Sequence, residues 1–576
     1  MRTSGAGTRT PGEPVVGLVL SGGGSRASFQ IGALTYLYDR VQIEPSVIAG
    51  ASVGSIVGST LAQHADRAGQ RRALGQLEEL WRAMDESADM FVELEWFARL
   101  RDVGPTWAGT IGALERRRGA AHPLGRGLSR APVRTSEAPA DGPMASAARI
   151  AGRMTRAAAR ARANITAVAP TGRATPQETA DDGTEVTAPA APATPAGRPP
   201  AVGSDSGTEP TEQVAALADG ERNSTRTAAG VVELIAGLRV IARARPDLAV
   251  ILRGARDERS FYRPGPIVDR LLDPDVFAPA RVAASGVTLR VAVVALESGE
   301  LRFVTETGEI VDRTGARTDD PVTVDLVDAI RASCAIPAVF PPVRLGDEHY
   351  VDGGVREVLP AAMVLEHQRV DRCYAVVATP TGVPAEASFA DRDLLSIVLR
   401  STAGIMADEV LRDEVAYARA AGAVVVAPEI EIHDGLTVDP GLTAIAMDYG
   451  YVRAAEAVLR ASAEEQAVTR ELFTLRRRIW QVEAALLAQD ADGLDTRRRP
   501  GSAEPGGPFA ALGPLDPQDP SVVADERSLR AMRRDLRALV ARVPPERLPP
   551  GADTWSRRRE GHGTSGAASG RQARLV

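Results

Sequence analysis

The sequence predicts an α/β fold with a mostly parallel central sheet, and three observations carry that prediction. Residues 15–21, Val-Val-Gly-Leu-Val-Leu-Ser, form a largely apolar run of the kind shown by a strand buried on both faces. A second short run, Val47 to Ala49, breaks at Gly50 and resumes as a small-residue stretch compatible with a helix. Beyond residue 230, strand-like runs alternate with helical periodicities, as in a sheet whose strands are joined by crossover helices.

The first run leads into Gly22-Gly23-Gly24-Ser25-Arg26 and then a helical stretch, Ala27 to Tyr38, with apolar residues at Phe29, Leu34 and Leu37. A glycine-rich turn after a strand exposes consecutive backbone N–H groups, which can bind either a phosphate or an oxyanion. The second run enters Gly50-Ala51-Ser52-Val53-Gly54, the G-x-S-x-G spacing of a nucleophile elbow. In such a turn the serine sits in strained backbone geometry, and glycines two residues either side let neighbouring segments approach. The following helix then aims unpaired N–H groups at developing negative charge. With 54 glycines in the chain, a small-residue strand–helix junction explains the same pattern, so the elbow needs support from elsewhere.

Residues 71–100 read as helical, from Leu74, Leu77 and Leu80-Trp81 through Phe91 to Leu100. From about 116 to 230 the chain turns rich in Ala, Pro, Gly, Thr, Ser and Arg, with few bulky apolar residues to offset the entropy of ordering. This stretch is expected to be a disordered insertion. Within it, Met144 to Ala169 interleaves Arg149, Arg153, Arg156, Arg160 and Arg162 with alanines, reading as a solvated basic helix before a membrane- or partner-binding one. Helical spacing returns over 231–253 and 264–272. Val287 to Leu296 and Leu301 to Thr305 are strands joined by a hairpin-like turn. Asp325 to Ser333 is helical, and a proline-punctuated segment, Ala335 to Val343, leads to Tyr350-Val351-Asp352-Gly353-Gly354. A helix near 360–366, strands at 373–378 and 423–427, and a helix over 441–461 complete the α/β region. Residues 463–489 are helical with Leu472, Leu475, Ile479 and Val482 on one face, and pair with a second helix over 525–543. The N-terminal residues 1–13, the linker 490–520 and the tail 546–576 are expected to be disordered.

Composition excludes several functions. The net charge of −7 argues against a nucleic-acid partner. All 68 basic residues are arginine. Without lysine there is no Ser–Lys dyad, no Schiff base and no Walker A lysine. The cysteines, Cys334 and Cys373, lack metal-ligand spacing and read as buried thiols of a reducing compartment. The first 13 residues lack the apolar core of a secretory signal, and no apolar run reaches the ~18 residues of a membrane span. The expectation is a cytoplasmic protein that needs neither metal nor cofactor.

Three stretches therefore stand out in order: Gly22-Gly23-Gly24-Ser25-Arg26, Gly50-x-Ser52-x-Gly54 and Asp352-Gly353-Gly354. Together with Arg331-Ala-Ser-Cys-Ala-Ile-Pro-Ala-Val-Phe-Pro-Pro342, they resemble the patatin-like phospholipase family over roughly 14–115 and 230–460. That resemblance implies a three-layer α/β/α sandwich across 14–460, interrupted by the insertion; beyond it, 461–545 reads from its spacing as a helical extension. It implies a Ser–Asp dyad without histidine, in which Ser52 attacks an ester carbonyl and Asp352 is its base. The N–H groups of Gly22, Gly23, Gly24, Ser25 and Arg26, with that of Val53, would form the oxyanion hole, supported by Gly50, Gly54, Gly353 and Gly354. The substrate would be a phospholipid or other acyl-ester lipid, met by peripheral contact with a membrane. His349, three residues before Asp352, should point to the opposite strand face. Arg26 is expected to orient the glycine turn or meet a phosphate headgroup. The sequence departs from the family at Ala27, where many members have glycine, and at Val358-Leu359-Pro360, where many have asparagine before the proline.

Two rival readings remain. A dinucleotide fingerprint would want a third glycine where Ala27 stands and an acidic residue at a strand end, whereas Glu44 lies in a Pro-flanked loop. A catalytically silent scaffold of the same fold, binding lipid or partners, is the alternative to the hydrolase.

Overall fold

The computed structural model describes residues 14–102, 245–318, 322–385, 388–389, 397–398, 400–494 and 526–557. The expected disordered N-terminus, the insertion at 116–230 with its helix at 144–169, and the linker beyond residue 494 lie outside the described residues. The described residues all belong to one compact unit, 1–109 together with 239–576; a second unit, 110–238, lies outside them.

The central sheet has the strand order β11-β10-β1-β2-β5-β6-β7. Its parallel half comprises β1 (Val16–Leu20), β2 (Val47–Ala51), β10 (Arg372–Val376), β11 (Val424–Val426) and the first part of β5 (Thr288–Ala295). Beyond β5, the hairpin strands β6 (Leu301–Thr305) and β7 (Ile310–Asp312) continue antiparallel. Antiparallel β8 (Val343–Leu345) and β9 (Glu348–Asp352) join through β9, which also pairs with β5.

Alternation along the strands sorts the core into two faces. Leu18 and Leu20 of β1, Ile48 of β2 and Val376 of β10 pack on one side. That side is covered by α1 (Ala27–Tyr36), α2 (Val53–Leu61), α3 (Arg67–Arg82) and α7 (Pro440–Leu459). Val19, Val47, Ala49 and Ala375 face the other way, beneath α5 (Ala361–Leu365) and α6 (Ala407–Ala420), which supply Val364, Leu411 and Val415. The outcome is a three-layer sandwich whose parallel strands are apolar on both faces.

Two local expectations are corrected. Helix α1 ends at Tyr36 and gives way to a wider turn, Leu37–Val41. The stretch 71–100 is not one helix: α3 stops at Arg82, and Phe91–Glu93 is a strand, β3, paired antiparallel with β4 (Tyr262–Pro264). A new helix then runs over 95–102. The ribbon forms because Phe91 stacks on Phe340 at 5.7 Å, and Phe97 stacks on Phe261 at 4.5 Å beside it. Such distant aromatic contacts outweigh a helical spacing that was only local.

The tail is also ordered further than expected. Helix α8 (Ala463–Leu494) packs on α7, and its Leu472, Phe473, Ile479 and Val482 are buried with Leu529, Leu536 and Leu539 of α9 (Glu526–Val540). After α9, short helical turns at Pro545–Arg547 and Ala552–Thr554 lay the chain back on this pair. Trp555 there meets Phe473 edge-on at 5.7 Å and lies 3.8 Å from the Arg476 guanidinium. Among the described residues no helix is long and apolar enough to cross a membrane.

Candidate active site

Ser52 stands where β2 turns into α2. Its backbone adopts φ 51°, ψ −129°, a conformation that a serine rarely visits and that costs about 1–3 kcal/mol. The turn must be this tight because α2 folds back directly over β1. A Cβ placed on Gly54 would lie 2.5 Å from the Leu20 carbonyl oxygen and 2.7 Å from that of Ser21, so only glycine fits. The Ser52 N–H donates to Ser333 Oγ at 3.0 Å, and the Ser52 carbonyl accepts from Ser55 Oγ at 2.6 Å. Ser333 ends helix α4 (Leu326–Ser333), which Asp325 caps by accepting from the Val327 N–H.

Asp352 reaches Ser52 through the register of β5. The parallel pairing of β2 on β5 runs to Ala51 opposite Ala292, and the next residue, Val293, is opposite Asp352 of β9. Strand β9 therefore takes over the β5 edge at the point where β2 leaves it. That handover puts the last residue of β9 beside the first residue past β2. Asp352 is buried; its carboxyl accepts the Gly354 N–H at 2.8 Å and lies against the Ser52 hydroxyl. Burial pushes its pKa from 3.8 up to about 6, and the neighbouring Ser52 hydroxyl and Gly354 N–H hold it from rising further. The Asp352 N–H donates to the Ala335 carbonyl at 3.0 Å, so residues 333–335 brace both Ser52 and Asp352.

The glycine turn faces this pair: a Cβ on Gly22 would come within 3.3 Å of the Ser52 Cβ. Its N–H groups are not equivalent. Gly22 donates to the Val358 carbonyl at 3.0 Å, Ser25 to that of Gly435 at 2.9 Å, and Arg26 back to Gly23 at 3.3 Å. The N–H groups of Gly23, Gly24 and Val53 donate to no protein acceptor among the described residues. The Val358 carbonyl that holds Gly22 is itself held, since Glu414 accepts from the Val358 and Leu359 N–H groups at 3.1 and 2.8 Å. Arg26 is ion-paired with Glu431. Gly50 lies in β2 two residues before Ser52, and Gly353 and Gly354 follow Asp352 in its turn.

Residues without an assigned role also gather here. Cys334 lies next to Asp352, where burial and the carboxylate drive its pKa upward and keep it protonated. Cys373 is buried in the sheet. His349 turns away to Glu297, with Nδ1 at 2.7 Å from the carboxylate. Ser333, Ala335, Glu414 and Glu431 carried no motif of their own; only the Arg331–Pro342 stretch around Ser333 and Ala335 hinted at its place. Among the described residues no group of His, Cys, Asp and Glu is arranged to hold a metal ion.

A serine held at positive φ where a parallel strand turns into a helix is a nucleophile-elbow geometry, and it places the fold among the α/β proteins that carry such turns. The family model for patatin-like phospholipase matches residues 18–365, a span containing Ser52 and Asp352. The chain belongs to the patatin-like phospholipase family, whose members are in general lipid acyl hydrolases acting on lipid substrates. Among solved structures it is similar to VipD from Legionella pneumophila, at 12% identity and a TM-score of 0.27, over 95% of this chain and 93% of that one. No curated protein sequence matches it.

Proposed function

We propose that this chain is a serine acyl-ester hydrolase of the phospholipase A or lysophospholipase type, working through a Ser52–Asp352 dyad. The observation that carries the reading is a strained serine whose hydroxyl lies against a buried carboxylate, brought there by the β5 register. Asp352, unprotonated above about pH 6, takes the Ser52 proton as Oγ adds to the ester carbonyl. The carbonyl oxygen becomes an oxyanion, and the free N–H groups of Gly23, Gly24 and Val53 are the donors available to it. This narrows the expected hole, since Gly22, Ser25 and Arg26 spend their N–H groups on protein carbonyls. As the tetrahedral adduct collapses, Asp352 returns the proton to the departing alkoxide, leaving an acyl-Ser52. Water then adds to that ester with Asp352 again as base; as the acyl–Oγ bond breaks, Asp352 returns the proton to Ser52 and the fatty acid leaves. The neutral Cys334 thiol has no part in these steps.

The test is a fluorophosphonate probe on the wild type, Ser52→Ala and Asp352→Asn, with the labelled peptide identified by mass spectrometry. Labelling confined to Ser52, lost in Ser52→Ala and slowed at least about 100-fold in Asp352→Asn, is the expected result. Undiminished ester turnover by folded Ser52→Ala would overturn the dyad.

A further inference from the structure

The glycine turn does not hold its own shape. Gly24 has φ +60°, and a Cβ there would fall 2.3 Å from the Gly435 carbonyl oxygen, so the two backbones are in direct contact. That carbonyl also accepts the Ser25 N–H at 2.9 Å, and the Ser25 hydroxyl donates to the Asp434 carbonyl at 3.0 Å. One residue on, Arg26 pairs with Glu431. At the first turn of α1, Ser28 Oγ lies 3.1 Å from His433 Nε2. The far ring nitrogen, Nδ1, is 2.9 Å from the Asp434 carbonyl, which can only accept. Nδ1 therefore carries the proton, and Nε2 is left to accept from Ser28.

The segment making these contacts is braced from behind. The Asp434 carboxylate accepts from the Leu436 and Thr437 N–H groups, both at 2.8 Å, and Arg477 of α8 donates to the Glu431 carbonyl. The Val438 N–H donates to Ser87 Oγ at 3.0 Å. A Ser28–His433 pair could in principle be a second nucleophile, but Ser28 is fully buried and the adjoining cavity is about 20 Å³, too small for a substrate.

We infer that Glu431–Gly435, a segment outside the span matched by the family, is the element that positions the glycine turn toward Ser52, with Glu431 and His433 as its positioning residues. The inference rests on the reading of Gly23 and Gly24 as oxyanion donors. Burial holds the His433 pKa below the usual histidine value, helped by the Arg26 charge and opposed by the hydrogen bond to the Asp434 carbonyl and by the Asp434 and Glu431 carboxylates. The ring thus stays neutral and keeps Nε2 as an acceptor. Fixing the turn before substrate arrives is what lets a backbone donor stabilise an oxyanion without reorganising.

Hydrogen exchange of the peptide covering residues 18–30 reads the turn directly, whether or not the protein turns over substrate. In Glu431→Ala and His433→Ala it is expected to exchange at least about 10-fold faster than wild type, without a matching change in peptides from β5. His433→Gln, whose carboxamide can still accept from Ser28 and donate to Asp434, should stay near wild type. With a soluble p-nitrophenyl ester, the two alanine variants should lose about 10- to 100-fold in kcat with KM within about twofold. Unchanged exchange in both alanine variants overturns the inference, as does a rise in KM at constant kcat. Should His433→Ala fail to fold, Glu431→Ala carries the same comparison. Failure of wild type to label or turn over would sink the proposed function, while the exchange rates would still show whether Glu431 and His433 hold the turn.

Discussion

Asp352 meets two opposing demands. As a base it must be ionised, yet burial raises its pKa from 3.8 to about 6. Activity should therefore fall along an acid limb near pH 6, because the protonated carboxyl cannot take the Ser52 proton; a kcat/KM profile on a soluble ester reads this. The same shift governs stability. A carboxyl that binds its proton more tightly when folded contributes stability that is fully present below pH 3.8 and lost as pH rises through about 6. At pH 8 the buried charge should cost about 2–3 kcal/mol. Asp352→Asn removes that charge while its side chain can still accept from Gly354. Its unfolding free energy should thus exceed wild type by about that amount at pH 8, and approach it at pH 4. Denaturant titrations at the two pH values check it, and equal stability at both would mean Asp352 is less desolvated than its burial implies.

The elbow is an element-scale device, in which β1, β2 and α2 constrain one another. The strain at Ser52 persists because α2 cannot pull away from the carboxyl end of β1, and that contact runs through Gly54. Gly54→Ala would press a methyl group into the Leu20 and Ser21 carbonyls. A loss of about 1–3 kcal/mol is expected, with slowed probe labelling at Ser52 even in the folded fraction. Gly75→Ala on α3 is the control. Its added methyl would meet only the Arg71 guanidinium at 3.7 Å, and a helical Gly→Ala change there should gain up to about 1 kcal/mol. Calorimetric melts of the two variants should move in opposite directions.

At the scale of the whole molecule, the helices after residue 460 close onto the α/β layers through a buried ion pair. Arg547, with 3% of its side chain exposed, pairs with Glu456 of α7, at 2%. Thr469 of α8 bonds the same carboxylate, and Arg453 pairs with its other oxygen at 2.6 Å. Removing Arg547 would leave a buried carboxylate only half compensated. Arg547→Ala should cost about 3 kcal/mol, and adding Glu456→Gln should recover part of it. A double-mutant cycle in urea measures the coupling; additive losses would mean the two residues act separately. The contact also explains why the chain past 545 is ordered although it looks like a polar tail. One arginine, and Trp555 laid against Arg476 and Phe473, anchor a segment whose composition alone would not order it.

Local chemistry determined what was legible before folding. The apolar runs of β1 and β2, the G-x-S-x-G turn, the Asp352-Gly353-Gly354 turn and the buried faces of α8 and α9 follow from periodicity and small-residue spacing, which neighbours along the chain set. Ser52, Asp352 and the glycine turn could be singled out for the same reason: each is a short motif with a mechanical purpose. Tertiary structure decided the rest. Whether Ser52 meets Asp352 depends on β9 replacing β2 along one edge of β5, a register that no stretch of either strand encodes. Which N–H groups of the glycine turn stay free depends on carbonyls at Val358 and Gly435, hundreds of residues away. The helical spacing of 71–100 yielded to a two-stranded ribbon because its aromatic residues found partners at Phe261 and Phe340. Periodicity reports which face of an element is apolar, whereas pairing and hydrogen-bond satisfaction are settled only when distant segments compete for the same edge, carbonyl or ring.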